Sequence, residues 1–218
     1  LNLRFFYERP IFRALPDRRA ENEWDYRSTL PAYRQYIGSD RVERELPSAL
    51  NRSQPFVSIM QGHQLRISRL LIAYRKKMEM EGTLFPDPFR HQKLFRDKGY
   101  WIYEEQPCKR IIFCEGAAAV HNPFLKFLPF NLSKAEAMVV HENRPLRSII
   151  KNSIFSVPWE TNQWWLGTAN FWNFNTGRPT DIGQARIISR FREMYPGLKP
   201  PVIENMAAIK PTVRDRRP

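Results

Sequence analysis

Apolar positions along this chain fall into short groups, separated by breaks that carry proline or glycine. The strongest pattern lies over 54–81. There Phe56, Met60, His63, Ile67, Leu70, Leu71, Tyr74 and Met78 recur at steps of three and four, the period of one helical face. Ser53 offers an N-cap, Pro55 a first turn and Gly82 a stop, so the pattern predicts one helix. Asp87, Pro88 and Gly99 bracket a second, shorter helix that would bury Phe89, Leu94 and Phe95.

Two strand-like runs follow, 100–103 and 110–114, and Pro107 in the spacer between them favours a loop and a hairpin. Pro123 and Pro129 among Phe124, Phe127 and Phe130 predict an apolar loop. Ser133 and Glu136 form a capping-box spacing ahead of 137–141, which predicts a helix there, and Asn143 and Pro145 offer another start running to Ile154. The aromatic-rich stretch 159–177 has neither period. A last helix is signalled from Thr180 to Tyr195, closed by Pro196 and Gly197, with Ile182, Ala185, Ile188 and Phe191 as its buried side.

Prolines recur too often for a long helix at both ends. Residues 1–52 read as an extended aromatic and basic arm with one short helix near 40–46, 53–197 as the core, and 198–218 as an extended basic tail. The expected fold class is α+β, mainly helical: a small globular core with a short two-stranded element and extended N- and C-terminal arms.

Charge sharpens this picture. The chain has 218 residues, 35 Lys and Arg against 22 Asp and Glu, and a formal net charge of +13. Arginine dominates the cations, and guanidinium grips phosphate or carboxylate by two prongs where lysine acts as a point charge. A pI near 10.1 implies attraction to polyanions. The 15 Phe, 8 Tyr and 6 Trp supply material for a core, which argues against wholesale disorder. Two cysteines, Cys108 and Cys114, are too few for a disulfide scaffold and fit a reducing compartment. A first residue of Leu1 fits a processed chain of organellar destination.

Chemical motifs are sparse. Cys108, Cys114 and His121 lack the close pairing of structural zinc ligands. There is no Gly-x-Ser-x-Gly elbow, no phosphate-binding loop and no Gly-x-Gly-x-x-Gly pattern. The four histidines sit in unrelated contexts, and Glu104 and Glu105, adjacent on a strand, would point to opposite faces. No metal site, cofactor or small-molecule substrate is therefore expected, and no enzymatic activity. Ala73-Tyr74-Arg75 in a basic helix, with Phe85-Pro86 beyond it, resembles in part the Leu-Tyr-Arg helical proteins of mitochondria, without their leucine; no function is carried over from that resemblance.

The expectation these observations support is a structural component of a large ribonucleoprotein assembly: a mitochondrial ribosomal protein on the matrix side, clamping rRNA and neighbouring proteins. Arg66, Arg69, Lys76 and Lys77 on the long helix, and Arg214, Arg216 and Arg217 in the tail, would neutralise RNA phosphates. Trp159, Trp164, Trp165 and Trp172 would anchor protein interfaces. The alternative is a peripheral accessory subunit of a respiratory complex or ATP synthase.

Overall fold

The structure is a computed structural model, and it describes residues 4–213. In chain order its elements are β1 (Phe6–Glu8), β2 (Ile11–Ala14), α1 (Arg18–Thr29), β3 (Ile37–Arg41), β4 (Phe56–Ile59), β5 (His63–Leu65), α2 (Ile67–Met80), β6 (Leu94–Asp97), β7 (Tyr100–Tyr103), β8 (Gln106–Cys108), β9 (Ser133–His141), β10 (Ile149–Lys151), β11 (Phe155–Pro158), β12 (Gln163–Phe171), α3 (Asp181–Met194) and β13 (Val202–Lys210). The protein is thus built mostly from strands, and the expectation of a mainly helical fold is corrected. Eight strands form one mixed sheet in the order β13-β9-β12-β11-β10-β2-β4-β3. Its pairs are antiparallel except β10 with β2.

The physical reason for the misread helices lies in burial. Several strands of the sheet have residues buried on both faces, so they carry consecutive apolar residues and not a strict alternation. In β4, Phe56 and Val57 are both fully buried, and in β9 so are Met138, Val139 and Val140. The region expected as one helix over 54–81 is therefore β4, a turn, β5 and only then α2. Gly62, at that turn, packs so tightly under β2 that an added Cβ would meet Arg9 O at 2.5 Å and the Ile11 side chain at 2.6 Å. Likewise 137–141 is the end of β9, and 149–151 is β10 where a helix was expected.

The stretches read as arms take part in the same sheet. The described residues before 53 include β2, which pairs with both β4 and β10, and β13 runs along β9 from Val202 to Lys210. The short helix expected near 40–46 is instead the end of β3 followed by turns. The expected helix before Gly99 is one 3₁₀ turn followed by β6, which opens a three-stranded meander. Its two-residue turns, Lys98–Gly99 and Glu104–Glu105, have positive φ at both positions (44° and 87°, 44° and 69°), the geometry that matches the right-handed strand twist. So the hairpin expected after Tyr103 is present, but its second strand is β8, and 110–114 is irregular.

Two helices pack on the large sheet. On one face α3 covers β9 and β12: Ile187, Phe191 and Met194 meet Met138, Val140, Trp164 and Leu166 in the main core. Thr180 caps α3 as expected, its side chain accepting from Gly183 N, but the buried stripe is Gly183, Ile187, Phe191 and Met194, and Ile182 is exposed. On the other face, at the far end, α1 sets Trp24 against Leu15 and Val57, and the Trp24 indole N–H donates to Gly38 O at 2.9 Å. The remaining helix, α2, buries no residue: Ile67, Leu71, Ile72, Tyr74 and Met80 lie exposed. No helix among the described residues is long and apolar enough to cross a membrane.

Candidate functional site

The site residues expected from the sequence do not form one surface. Arg66 is 4 % exposed; its guanidinium lies over the Trp159 ring at 4.1 Å, with Glu160 3.9 Å away. Burial, opposed in part by Glu160, holds its pKa below the ordinary arginine range. A guanidinium so enclosed is out of reach of a phosphate backbone, so Arg66 is corrected from RNA contact to a packing role. Arg69 clamps both oxygens of Glu160 at 2.7 and 2.8 Å, and Lys77 pairs with Glu81 one turn on. Lys76 is exposed on α2, and Arg214, Arg216 and Arg217 lie outside the described residues. Of the tryptophans, Trp164 is 2 % exposed in the core, its N–H donating to Arg144 O, so it cannot serve as an interface anchor. Trp159 lies under Arg66, Trp165 is half-buried and Trp172 is exposed.

A different group of side chains converges on the sheet face opposite α3. Strand period and register put them there. Residues 134, 136, 138 and 140 of β9 turn toward α3, so Ser133, Ala135, Ala137 and Val139 turn away. Lys210 pairs with Ser133, Ala208 with Ala135 and Met206 with Ala137, which brings all three of these β13 residues to the same face. Asn170 pairs with Ala135 from the other side. A register shift between Gly167 and Ala169 inserts Thr168 beside it.

The result is a floor of small residues with polar and aromatic walls. Lys210 Nζ donates to Asn170 Oδ1 at 2.9 Å, and Asn170 Nδ2 donates to Thr168 Oγ1 at 3.1 Å. Lys210 and Asn170 are exposed, and an ammonium has three donors, so two remain for a bound anion. The indole of Trp165 lies back across Gly167 and donates to Met206 Sδ at 3.3 Å. Gly167 is needed for this, since a Cβ there would sit 2.7 Å from Trp165 Cη2 and 3.0 Å from Ala137 Cβ.

Just beyond Lys210 the face opens into an apolar cleft of about 580 Å³, lined by Phe113, Gly116, Leu125, Phe130, Pro211 and Val213 among others. Gly116 has φ of 57°, and a Cβ built on it would meet nothing within 4 Å. The backbone there is bare toward the cleft, which lets a flat group approach closely. Beside it Glu115 accepts from Asn122 Nδ2 at 2.7 Å and faces His91 Nε2 at 2.7 Å, which fixes the segment.

No protein-family model matches the chain. Its fold is shared with solved structures. Glycine oxidase from Geobacillus kaustophilus aligns with a TM-score of 0.80 at 14 % identity over 98 % of this chain and 61 % of that one. L-proline dehydrogenase from P. horikoshii aligns at 0.76 and 11 % identity over 97 % and 63 %. L-alpha-glycerophosphate oxidase from Mycoplasma pneumoniae, with FAD bound, aligns at 0.70 and 12 % identity over 96 % and 63 %. The chain therefore has a flavoprotein-like fold and spans about three fifths of the length of these structures.

That likeness corrects the functional expectation. The fold is that of oxidases and a dehydrogenase, not of ribosomal or RNA-binding proteins, and it overturns the reading as a non-enzymatic rRNA clamp with no small-molecule substrate. The sequence signal for Lys210, Asn170, Trp165 and Gly116 was weak. They lie between 116 and 210, on two strands and a turn whose meeting only register reveals.

Proposed function

We propose that this chain is the sheet-bearing part of a flavin-dependent oxidoreductase that acts on a small anionic substrate. The observation that carries the reading is Lys210, fixed by Asn170 and presented on a small-residue floor beside an apolar cleft. A fold shared with an FAD-bound oxidase supports it.

The residues present fit one part of such a cofactor and not another. The bare backbone at Gly116 and the apolar walls of Phe113 and Leu125 suit one side of a flat ring system. The chain has no Gly-x-Gly-x-x-Gly turn to hold the phosphates. On this reading the phosphates are held by residues outside this chain. The exposed apolar face of α2 is a natural seat for that part, since an amphipathic helix with no buried residue lacks its partner layer.

When bound, the flavin supplies a two-electron acceptor. The chain's own residues do the positioning. Lys210 pairs with the substrate anion through its two unused donors, and Asn170 keeps the ammonium from swinging into solvent. Trp165, pinned by Met206, walls the floor and keeps water from that side. The net positive charge of +13 draws anions toward the site. The bond oxidised is C–N or C–O, and loss of two electrons and two protons leaves an imine or a carbonyl.

The test is direct. The full-length protein that carries this chain is purified, examined for the absorbance of bound flavin and mixed anaerobically with small amino and hydroxy acids. Bleaching by at least one of them is expected. Absence of flavin, or flavin that no small anion reduces, overturns the proposal.

A further inference from the structure

A second charged cavity lies four strands across the sheet from β13, at about 4.8 Å per strand. Its volume is about 420 Å³. Arg13 of β2 and Lys151 of β10 are direct partners in the parallel ladder, so their side chains leave the same face side by side. Like charges set opposite one another destabilise a sheet. Arg190 of α3 adds a third cation near Lys151. Burial first, and then Arg13 and Arg190, hold the Lys151 pKa below the ordinary lysine range.

Among the described residues no carboxylate relieves this crowding. Among the described residues none of the three cations has a salt bridge, and Glu193, the carboxylate in the cavity lining, pairs with none of them. Lys151 gives one donor to Asn152 O at 3.0 Å and lies over the Phe155 ring at 4.5 Å, and Arg13 lies over Trp24 at 5.8 Å. Two Lys151 donors and the Arg13 fork stay open. Gln54 also lines the cavity, and its side-chain oxygen is buried with no partner, an acceptor in want of a hydroxyl.

We infer that this cavity binds a small hydroxylated anion, a phosphate ester of sugar size, whose phosphate sits between Arg13 and Lys151 and whose hydroxyl donates to Gln54. The volume exceeds what inorganic phosphate fills and suits a phosphorylated polyol. The site lies four strands away from Lys210 and does not depend on the oxidoreductase reading.

The experiment is calorimetric titration of the full-length protein with inorganic phosphate, ribose 5-phosphate and ribose. Saturable binding of ribose 5-phosphate is expected, weaker binding of phosphate, and none of ribose. Lys151→Met is expected to weaken ribose 5-phosphate at least tenfold. Arg13→Gln, on an exposed side chain, is expected to do the same and serves if Lys151→Met fails to fold. Lys210→Met should leave this binding unchanged. No saturable binding, binding that Arg13→Gln leaves intact, or binding lost in Lys210→Met overturns the inference.

Discussion

Gly183 and Glu136 share one space: α3 approaches β9 so closely that a Cβ on Gly183 would fall inside the Glu136 carboxylate. The carboxylate accepts from Thr180 N at 2.8 Å and Thr180 Oγ1 at 2.9 Å, and pairs with Lys134 at 2.7 Å. A strand residue thus caps the helix that packs on it. Gly183→Ala gains helix propensity of about 1 kcal/mol. Overpacking costs about 1–3 kcal/mol and disrupts the cap besides. We predict a net loss, read as a lower urea midpoint; an unchanged or higher midpoint contradicts the packing described.

The Lys134–Glu136 pair is 2 % exposed on both sides. Removing one partner of a buried pair strands the other charge and costs about 3–5 kcal/mol. Lys134→Met should therefore destabilise strongly, and the double change Lys134→Met with Glu136→Leu should recover part of the loss, the Thr180 donors being left without their carboxylate. A double variant no more stable than the single one would count against this account.

Burial alone would raise the Glu136 pKa, but hydrogen bonds from Lys134 and Thr180 outweigh it and hold the carboxyl below its ordinary 4.5. A group lowered in the folded state stabilises fully above its unfolded pKa and loses that contribution as pH falls through the folded one. The stability gap between wild type and Glu136→Gln should accordingly be constant above about pH 5 and shrink in more acid solution. A gap that widens on acidification would refute the direction of the shift.

Trp165 depends on Gly167 for its place on the open face. Gly167→Ala should push the indole off the floor, break its contact with Met206 and change its fluorescence. Stability should fall by about 1–3 kcal/mol. An unaltered emission spectrum together with an unaltered melting midpoint would show that the ring is not held as described.

Some of this was legible in the sequence. Thr180 capping α3, the end of α2 at Gly82, and the hairpin after Tyr103 follow from local chemistry that acts within a few residues. The sheet did not. Strands buried on both faces lose the alternation that marks them, as at Phe56–Val57 and Met138–Val139–Val140, and chance spacing then imitates a helix. Glu136 illustrates the same limit: its spacing from Ser133 was that of a cap, and it is a cap, but for a helix more than forty residues on. The basic tail likewise hid Lys210, because what matters there is the partner strand and not the run of charge.

Lys210 is proposed to hold a substrate anion beside a flavin. The decisive measurement is flavin reduction by the best small acid in full-length wild type and in Lys210→Met. Loss of a charge-assisted hydrogen bond, worth about 1.5–3 kcal/mol, corresponds to a rise of roughly 10- to 150-fold in the half-saturating concentration. That rise is expected with flavin content and melting midpoint unchanged, since Lys210 is exposed. Equal half-saturation in the two proteins would contradict it.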